Sequence, residues 1–141
     1  MAAAYKSVLL VEDYEQDETL FLLAVRRAEL RNPVLILRSA EEALAYLERI
    51  QIYVDTARHL VPGVLILDLT LPGKDGFAVL EWLKTQPKLN DILVVVVTGS
   101  LDPAVWERVY KSGAHSFFRK PITPEDLQGL VATFTDKWMT P

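Results

Sequence analysis

Five side chains that can do chemistry stand at or just after the ends of short apolar runs. They are Glu12, Asp13, Asp68, Thr98 and Lys120. Carboxylates that crowd together raise one another's pKa values, and a hard cation such as Mg²⁺, which prefers oxygen ligands, relieves that repulsion. A carboxylate beside such a cation, with an ammonium and a hydroxyl nearby, is a plausible nucleophile toward a phosphoryl group. If the fold brings the five side chains together, the set therefore predicts a Mg²⁺ site at which a carboxylate reacts with a phosphoryl group.

The apolar runs that precede these side chains predict the strands. Each is short, continuous and rich in Val, Ile, Leu or Phe, as is typical of strands buried on both faces of a parallel sheet. The runs are Val8–Val11, Val34–Leu37, Val64–Leu67, Ile92–Val97 and, more weakly, Ser116–Phe118.

Amphipathic stretches between the runs predict five helices. Ser39 with Glu42, Asp102-Pro103, and Thr123-Pro124 with Asp126 are helix-start signals. The expected helices cover 15–30, 39 toward 54, 77–84, 103 to just before Gly113, and 124 to about 137. Strands that alternate with helices predict a doubly wound parallel sheet with helices on both faces. Ligands of such sheets bind beyond the carboxyl ends of the strands, where the five side chains would meet.

Composition narrows the class of protein. The chain has 141 residues, which favours one domain, and a net charge of −4 without a Lys/Arg cluster, which argues against nucleic-acid binding. It has no cysteine for thiol chemistry. Neither a secretory signal nor a membrane-length apolar run stands out, so we expect a cytoplasmic protein without membrane contact.

The motifs together resemble the receiver domain of two-component response regulators. The matching residues, in order, are Glu12-Asp13, Asp68, Leu71–Gly76 (LPGKDG), Thr98-Gly99 and Lys120-Pro121. The resemblance spans nearly the whole chain. It implies a five-stranded sheet of order 2-1-3-4-5, one receiver domain over residues 1–141 and no output domain. It also implies a phosphoacceptor that assists its own phosphorylation and dephosphorylation, rather than an enzyme.

The resemblance also implies roles for individual residues. Asp68 would accept a phosphoryl group from a sensor histidine kinase, and Lys120 would hold that group. Thr98 and Phe117 would form a switch, with Phe117 turning inward as Thr98 moves, and the Lys120-Pro121 peptide would be cis. The implied Mg²⁺ ligands are Glu12, Asp13, Asp68 and the backbone carbonyl of Thr70.

One departure suggests a narrower group within the family. The interval between Asp13 and Asp68 is about ten residues longer than in short receivers, and the excess lies around Arg49–Gly63. With no output domain expected, this resembles the single-domain regulators that partner phytochrome-type histidine kinases. A bacteriophytochrome is thus a candidate partner, and output would come through protein contacts, including a homodimer formed by the fourth helix, fifth strand and fifth helix.

Other interpretations stay open. Trp106 and Tyr110, at i and i+4, either cover the sheet edge or form an interface stripe. Glu15, Asp17 and Glu18 are expected only to interact favourably with the helix dipole.

A phosphorylation-independent receiver-like adaptor is the main alternative function. A Mg²⁺-dependent aspartyl phosphatase is a weaker alternative, because Thr70 stands where that enzyme needs an acid/base aspartate. A flavodoxin-like cofactor binder is weaker still, because the acidic loop from Glu12 to Glu15 would repel a phosphate.

Overall fold

The protein folds around one parallel sheet of five strands. The computed structural model describes residues 4–69 and 75–139. The strand order is β2-β1-β3-β4-β5, as expected. The strands are β1 (Val8–Val11), β2 (Val34–Leu37), β3 (Val64–Asp68), β4 (Leu93–Thr98) and β5 (Ser116–Arg119).

Side-chain alternation along these strands divides the core into two halves. On β1, Leu9 and Val11 face one half, whereas Val8 and Leu10 face the other. All residues of β1, β3 and β4 are buried, because each of these strands is flanked by strands on both sides and covered by helices above and below.

Helices cover both faces of the sheet. The first core half contains residues of α2, α3 and α4, and the second contains residues of α1, α5 and α6. The helices are α1 (Glu15–Arg27), α2 (Ala40–Ile50), α3 (Gly76–Lys84), α4 (Pro103–Lys111), α5 (Pro124–Thr133) and α6 (Thr135–Trp138). No helix of the described segments is long and apolar enough to cross a membrane.

The helix starts follow the capping signals of the sequence. Ser39, Asp102 and Thr123 each accept a hydrogen bond from a backbone N–H of the first turn that follows. The Thr123 cap is a complete capping box with Asp126. At Ser39 the box is only half formed, since the Glu42 carboxylate accepts from the Arg38 N–H instead.

The ends of α1 and α5 differ from expectation. The first helix ends at Arg27 rather than near residue 30, because Glu29 adopts a left-handed conformation with φ 59°. The fifth helix does not continue to about 137. It breaks at Phe134 (φ −124°, ψ 47°), and the short α6 follows.

The additional residues between α2 and β3 form two 3-10 helices rather than a longer α2. These are Gln51–Tyr53 and Arg58–Leu60. Ion pairs join this segment to the 3-10 helix Pro87–Leu89 and the turn after it. Lys88 Nζ lies 3.6 Å from Asp55, and Arg58 pairs with Asp91.

The first and last described segments meet at the amino edge of the sheet. The Asn32 amide donates to the Lys6 carbonyl at 2.8 Å and to the Trp138 carbonyl at 2.7 Å. The Lys6 N–H also donates to the Trp138 carbonyl, and Tyr5 forms an isolated antiparallel bridge with Met139. This clasp holds the buried Trp138 indole in the second core half.

Candidate functional site

The carboxyl edge of the sheet brings four of the five predicted side chains into or beside one acidic cluster. Glu12, Asp13 and Asp68 each place a carboxylate oxygen within 4.8 Å of the others. Lys120 Nζ lies 2.8 Å from Glu12 Oε1 and 3.0 Å from Asp68 Oδ2. The fifth side chain, Thr98, ends the neighbouring strand β4 and is buried.

Strand pairing fixes the backbone of Glu12, Asp68 and Lys120. The Glu12 N–H donates to the Leu37 carbonyl, which extends the β1–β2 ladder by one bond. Asp68 is the last residue of β3 and lies opposite Val97 of β4. The Lys120 N–H donates to the Thr98 carbonyl at 2.9 Å, and the Lys120-Pro121 peptide that follows is cis, as expected.

Gly76 allows α3 to begin close to Asp68. A Cβ on Gly76 would lie 2.5 Å from the Asp68 carbonyl oxygen, which is too close for any side chain. Asp75 caps the helix by accepting from the Ala78 N–H. The Asp-Gly pair therefore serves as a helix start against the end of β3. Residues 71–74 of the LPGKDG motif and Thr70, the expected backbone ligand, lie outside the described residues.

Burial makes negative charge on the carboxylates of the cluster energetically costly. The side chains of Glu12 and Asp68 are 5 % and 4 % exposed. Burial raises the pKa of Glu12 to about 7, Asp68 adds to the rise, and Lys120 opposes it. Asp13, by contrast, is exposed at the mouth of the site.

Lys120 is the cation of the site. Burial alone would lower the pKa of its ammonium, but hydrogen bonds to Asp17, Glu12 and Asp68 outweigh that effect and raise it. The amine therefore stays protonated at neutral pH. One ammonium does not balance this many carboxylates, so the cluster retains an excess of negative charge.

The chemistry of this donor set fits a hard divalent cation. Three carboxylates within reach of one point match the oxygen ligands and the ligand charge that Mg²⁺ and similar ions take in proteins. The raised pKa of Glu12 is consistent with this, because burial and the neighbouring Asp68 together outweigh the effect of Lys120 on that carboxyl group.

Asp17 is the member of the site that the sequence analysis missed. Asp17 Oδ2 accepts from Lys120 Nζ at 2.7 Å. The expectation that Glu15, Asp17 and Glu18 only favour the helix dipole is thus wrong for Asp17. Glu18 instead pairs with Arg38 at 2.6 Å. The signal in the sequence is position, since Asp17 lies in the first turn of the helix that begins directly after β1 and so lies near the carboxyl edge of the sheet.

Thr98 and Phe117 lie on neighbouring strands and are connected through α4. Thr98 Oγ1 accepts from the Ser100 N–H at 3.2 Å, and the Ser100 carbonyl accepts from the Trp106 indole at 2.9 Å. The Trp106 ring meets Phe117 edge to face at 5.9 Å between centroids. Tyr110 makes a similar contact at 4.7 Å.

Trp106 and Tyr110 differ in exposure. Tyr110 is 69 % exposed, which is unusual for a large aromatic side chain. Trp106 is partly buried and packs against the first core half. Trp106 therefore packs against the core, whereas Tyr110 presents most of its ring to solvent, and an interface role for the pair stays a prediction.

Comparison with known proteins finds one family across most of the chain. The model of the response regulator receiver domain matches residues 8–132. The probable methanogenesis regulatory protein FilR2 of Methanothrix harundinacea is 33 % identical over 94 % of this chain and 83 % of its own length. The response regulator Rcp1 of Synechocystis is 31 % identical over 95 % of this chain and 89 % of its own length.

Solved structures agree with the sequence comparison. The Mn²⁺-bound form of Rcp1 superposes with a TM-score of 0.69, at 31 % identity, over 93 % of this chain and 92 % of that one. The phosphorylated cyanobacterial phytochrome response regulator RcpA superposes with a TM-score of 0.72, at 31 % identity, over 96 % and 94 % of the two chains.

Proposed function

Because this chain belongs to the response regulator receiver domain family, we propose that it accepts a phosphoryl group on Asp68 from a histidine kinase. The observation that carries the proposal is the contact of the buried Asp68 with Lys120, 3.0 Å apart, inside a cluster of carboxylates. A site for phosphoryl transfer needs this combination of a nucleophile, a fixed ammonium and ligands for a cation.

The proposed reaction transfers the group to the Asp68 carboxylate. A carboxylate oxygen attacks the phosphorus of a kinase phosphohistidine, the P–N bond breaks, and the imidazole leaves with the bonding pair. Asp68 becomes an acyl phosphate. Lys120 donates a hydrogen bond to a phosphoryl oxygen, and the Thr98 hydroxyl donates another. A cation held by Glu12, Asp13 and Asp68 would neutralise charge on the transferring group, and we propose that it is Mg²⁺.

We further propose that the signal leaves through α4 and β5. If Thr98 turns toward the phosphoryl group, the Thr98–Ser100 contact is broken, and Ser100 is the residue whose carbonyl holds the Trp106 indole. Trp106 and Tyr110 both contact Phe117, so a movement of Phe117 changes the surface that carries Tyr110. This is a two-state element that phosphorylation would bias, with self-association through this face as its output.

The choice of kinase follows from the relatives. RcpA is described as a phytochrome response regulator and was crystallised in its phosphorylated form. This chain is 31 % identical to RcpA over nearly the whole of both chains. We therefore propose a phytochrome-type histidine kinase as the phosphodonor.

The decisive experiment is intact mass after incubation with acetyl phosphate, with and without Mg²⁺. We expect one phosphoryl adduct that requires Mg²⁺ and is absent from Asp68→Asn. Asp75→Asn is the matched control, because it removes a neighbouring carboxylate while asparagine still caps α3. It should keep the adduct. A folded parent protein without an adduct would instead favour a phosphorylation-independent adaptor.

A further inference from the structure

Asp17 approaches the Lys120 ammonium from the side of α1. Its distance to Lys120 Nζ is 2.7 Å, compared with 2.8 Å for Glu12 and 3.0 Å for Asp68. The Asp17 side chain is 27 % exposed, whereas those of Glu12 and Asp68 are almost fully buried. Two carboxylates thus hold the ammonium from within the site, and Asp17 holds it from the rim.

The three contacts use the whole donor capacity of the lysine. A lysine ammonium has three N–H donors, and oxygens of three carboxylates lie 2.7, 2.8 and 3.0 Å from it here. A phosphoryl oxygen on Asp68 can be bound only if one of these contacts is given up. Glu12 and Asp68 also belong to the cluster that can hold a cation, whereas Asp17 does not. Asp17 is therefore the partner that Lys120 can keep during the reaction.

We propose that Asp17 is a positioning residue that holds the Lys120 ammonium at the mouth of the site while Glu12 and Asp68 turn to the cation and the phosphoryl group. The inference rests on the proposed role of Asp68 as phosphoacceptor. It adds a carboxylate from α1 to the residues that the chain uses for phosphoryl transfer.

The flexible lysine stem explains why such a residue is useful. A lysine carries its charge on four rotatable methylenes, and ordering them costs conformational entropy. The base of the Lys120 stem is fixed, since its N–H donates to the Thr98 carbonyl at 2.9 Å. Asp17 fixes the other end. The ammonium is then already in place when the phosphoryl group arrives, which is the advantage of a preorganised site.

The first test compares two substitutions that each remove one carboxylate from α1. Asp17→Asn weakens the contact with Lys120, and Glu18→Gln removes the same charge from the neighbouring residue, whose partner is Arg38. With acetyl phosphate and saturating Mg²⁺, we expect Asp17→Asn to slow phosphorylation of Asp68 about tenfold. Glu18→Gln should change the rate less than about twofold. An unchanged or faster rate in Asp17→Asn would overturn the proposal.

A double-mutant cycle separates positioning from a merely structural role. If Asp17 acts through Lys120, then Asp17→Asn should have almost no further effect in a Lys120→Gln background. The same roughly tenfold loss in both backgrounds would mean that Asp17 acts by another route, and would refute the inference. Urea midpoints of all variants show whether each protein remains folded.

A third measurement does not depend on phosphorylation. In the metal-free protein, three acceptors should slow the exchange of the Lys120 ammonium hydrogens enough for a ¹H–¹⁵N signal, which Lys120→Gln would identify by its loss. We expect Asp17→Asn to broaden this signal and Glu18→Gln to preserve it. If the parent forms no acyl phosphate but the signal responds as expected, the proposed function fails while the Asp17 contact stands. An unresponsive signal refutes the contact itself.

Discussion

Replacing Glu12 by glutamine should change how the stability of the metal-free protein depends on pH. Burial raises the pKa of Glu12 from 4.5 to about 7. The folded protein therefore holds this proton more tightly than the unfolded chain, and stability falls as the pH rises from 4.5 through 7. The pKa difference of about 2.5 corresponds to about 3 kcal/mol of unfolding free energy that is fully lost above pH 8.

The assay is urea unfolding in EDTA at pH 5, 6, 7 and 8 for the parent and Glu12→Gln. We expect the stability of the variant relative to the parent to increase by about 2.5 kcal/mol between pH 5 and pH 8. Glu48→Gln, on the exposed face of α2, controls for the loss of one carboxylate.

The titrations of His115 and Lys120 do not obscure this comparison. The pKa of His115 is lowered, chiefly by burial, but His115 is present in both proteins and its contribution cancels in the difference. The raised pKa of Lys120 contributes stability that is present throughout this range and is lost only at higher pH. A stability difference that stays constant from pH 5 to pH 8 would refute the argument that burial holds the proton on Glu12.

The remaining predictions concern backbone contacts at two glycines and the exposed Tyr110. Gly63→Ala should lower the unfolding free energy by more than about 2 kcal/mol, because the new Cβ would lie 1.9 Å from the Lys137 carbonyl oxygen. Gly129→Ala on α5, with nothing within 4 Å, should instead raise it by about 0.5–1 kcal/mol; equal urea midpoints for the two variants would contradict this reasoning. Tyr110→Ala should leave stability within about 0.5 kcal/mol of the parent, since the ring is 69 % exposed. The same variant should weaken any self-association of the phosphorylated protein in sedimentation equilibrium, and unchanged association would remove Tyr110 from the proposed interface.

The strands and the main cluster were predictable because they depend on local patterns. A buried parallel strand is a short run of apolar residues whatever lies beside it, and the carboxyl ends of such strands meet at one edge. These local patterns alone predict that Glu12, Asp13, Asp68 and Lys120 share one edge of the sheet. The strand bounds in the structure differ from the apolar runs by one residue at most.

The parts that were missed depend on distant contacts. The apolar spacing of Leu127, Leu130 and Phe134 suits one continuous helix, yet the chain turns at Phe134 so that Trp138 enters the core. Asp17 lies in an acidic first helical turn of the ordinary kind, and its partner Lys120 lies 103 residues away in the sequence. Likewise, nothing at Glu29 signals the left-handed conformation that follows α1, because that conformation usually selects glycine or asparagine.

The clasp at the amino edge has a consequence for how the molecule opens. Asn32 holds the carbonyls of Lys6 and Trp138 with one amide group, so the segment before β1 and the segment after α5 share an anchor. Fraying of either segment breaks the Lys6 N–H bond to the Trp138 carbonyl and one of the two Asn32 bonds, which weakens the anchor of the other segment. The two ends should therefore behave as one cooperative unit in hydrogen exchange. That unit lies at the opposite edge of the sheet from Asp68, so its local unfolding leaves the acidic cluster assembled.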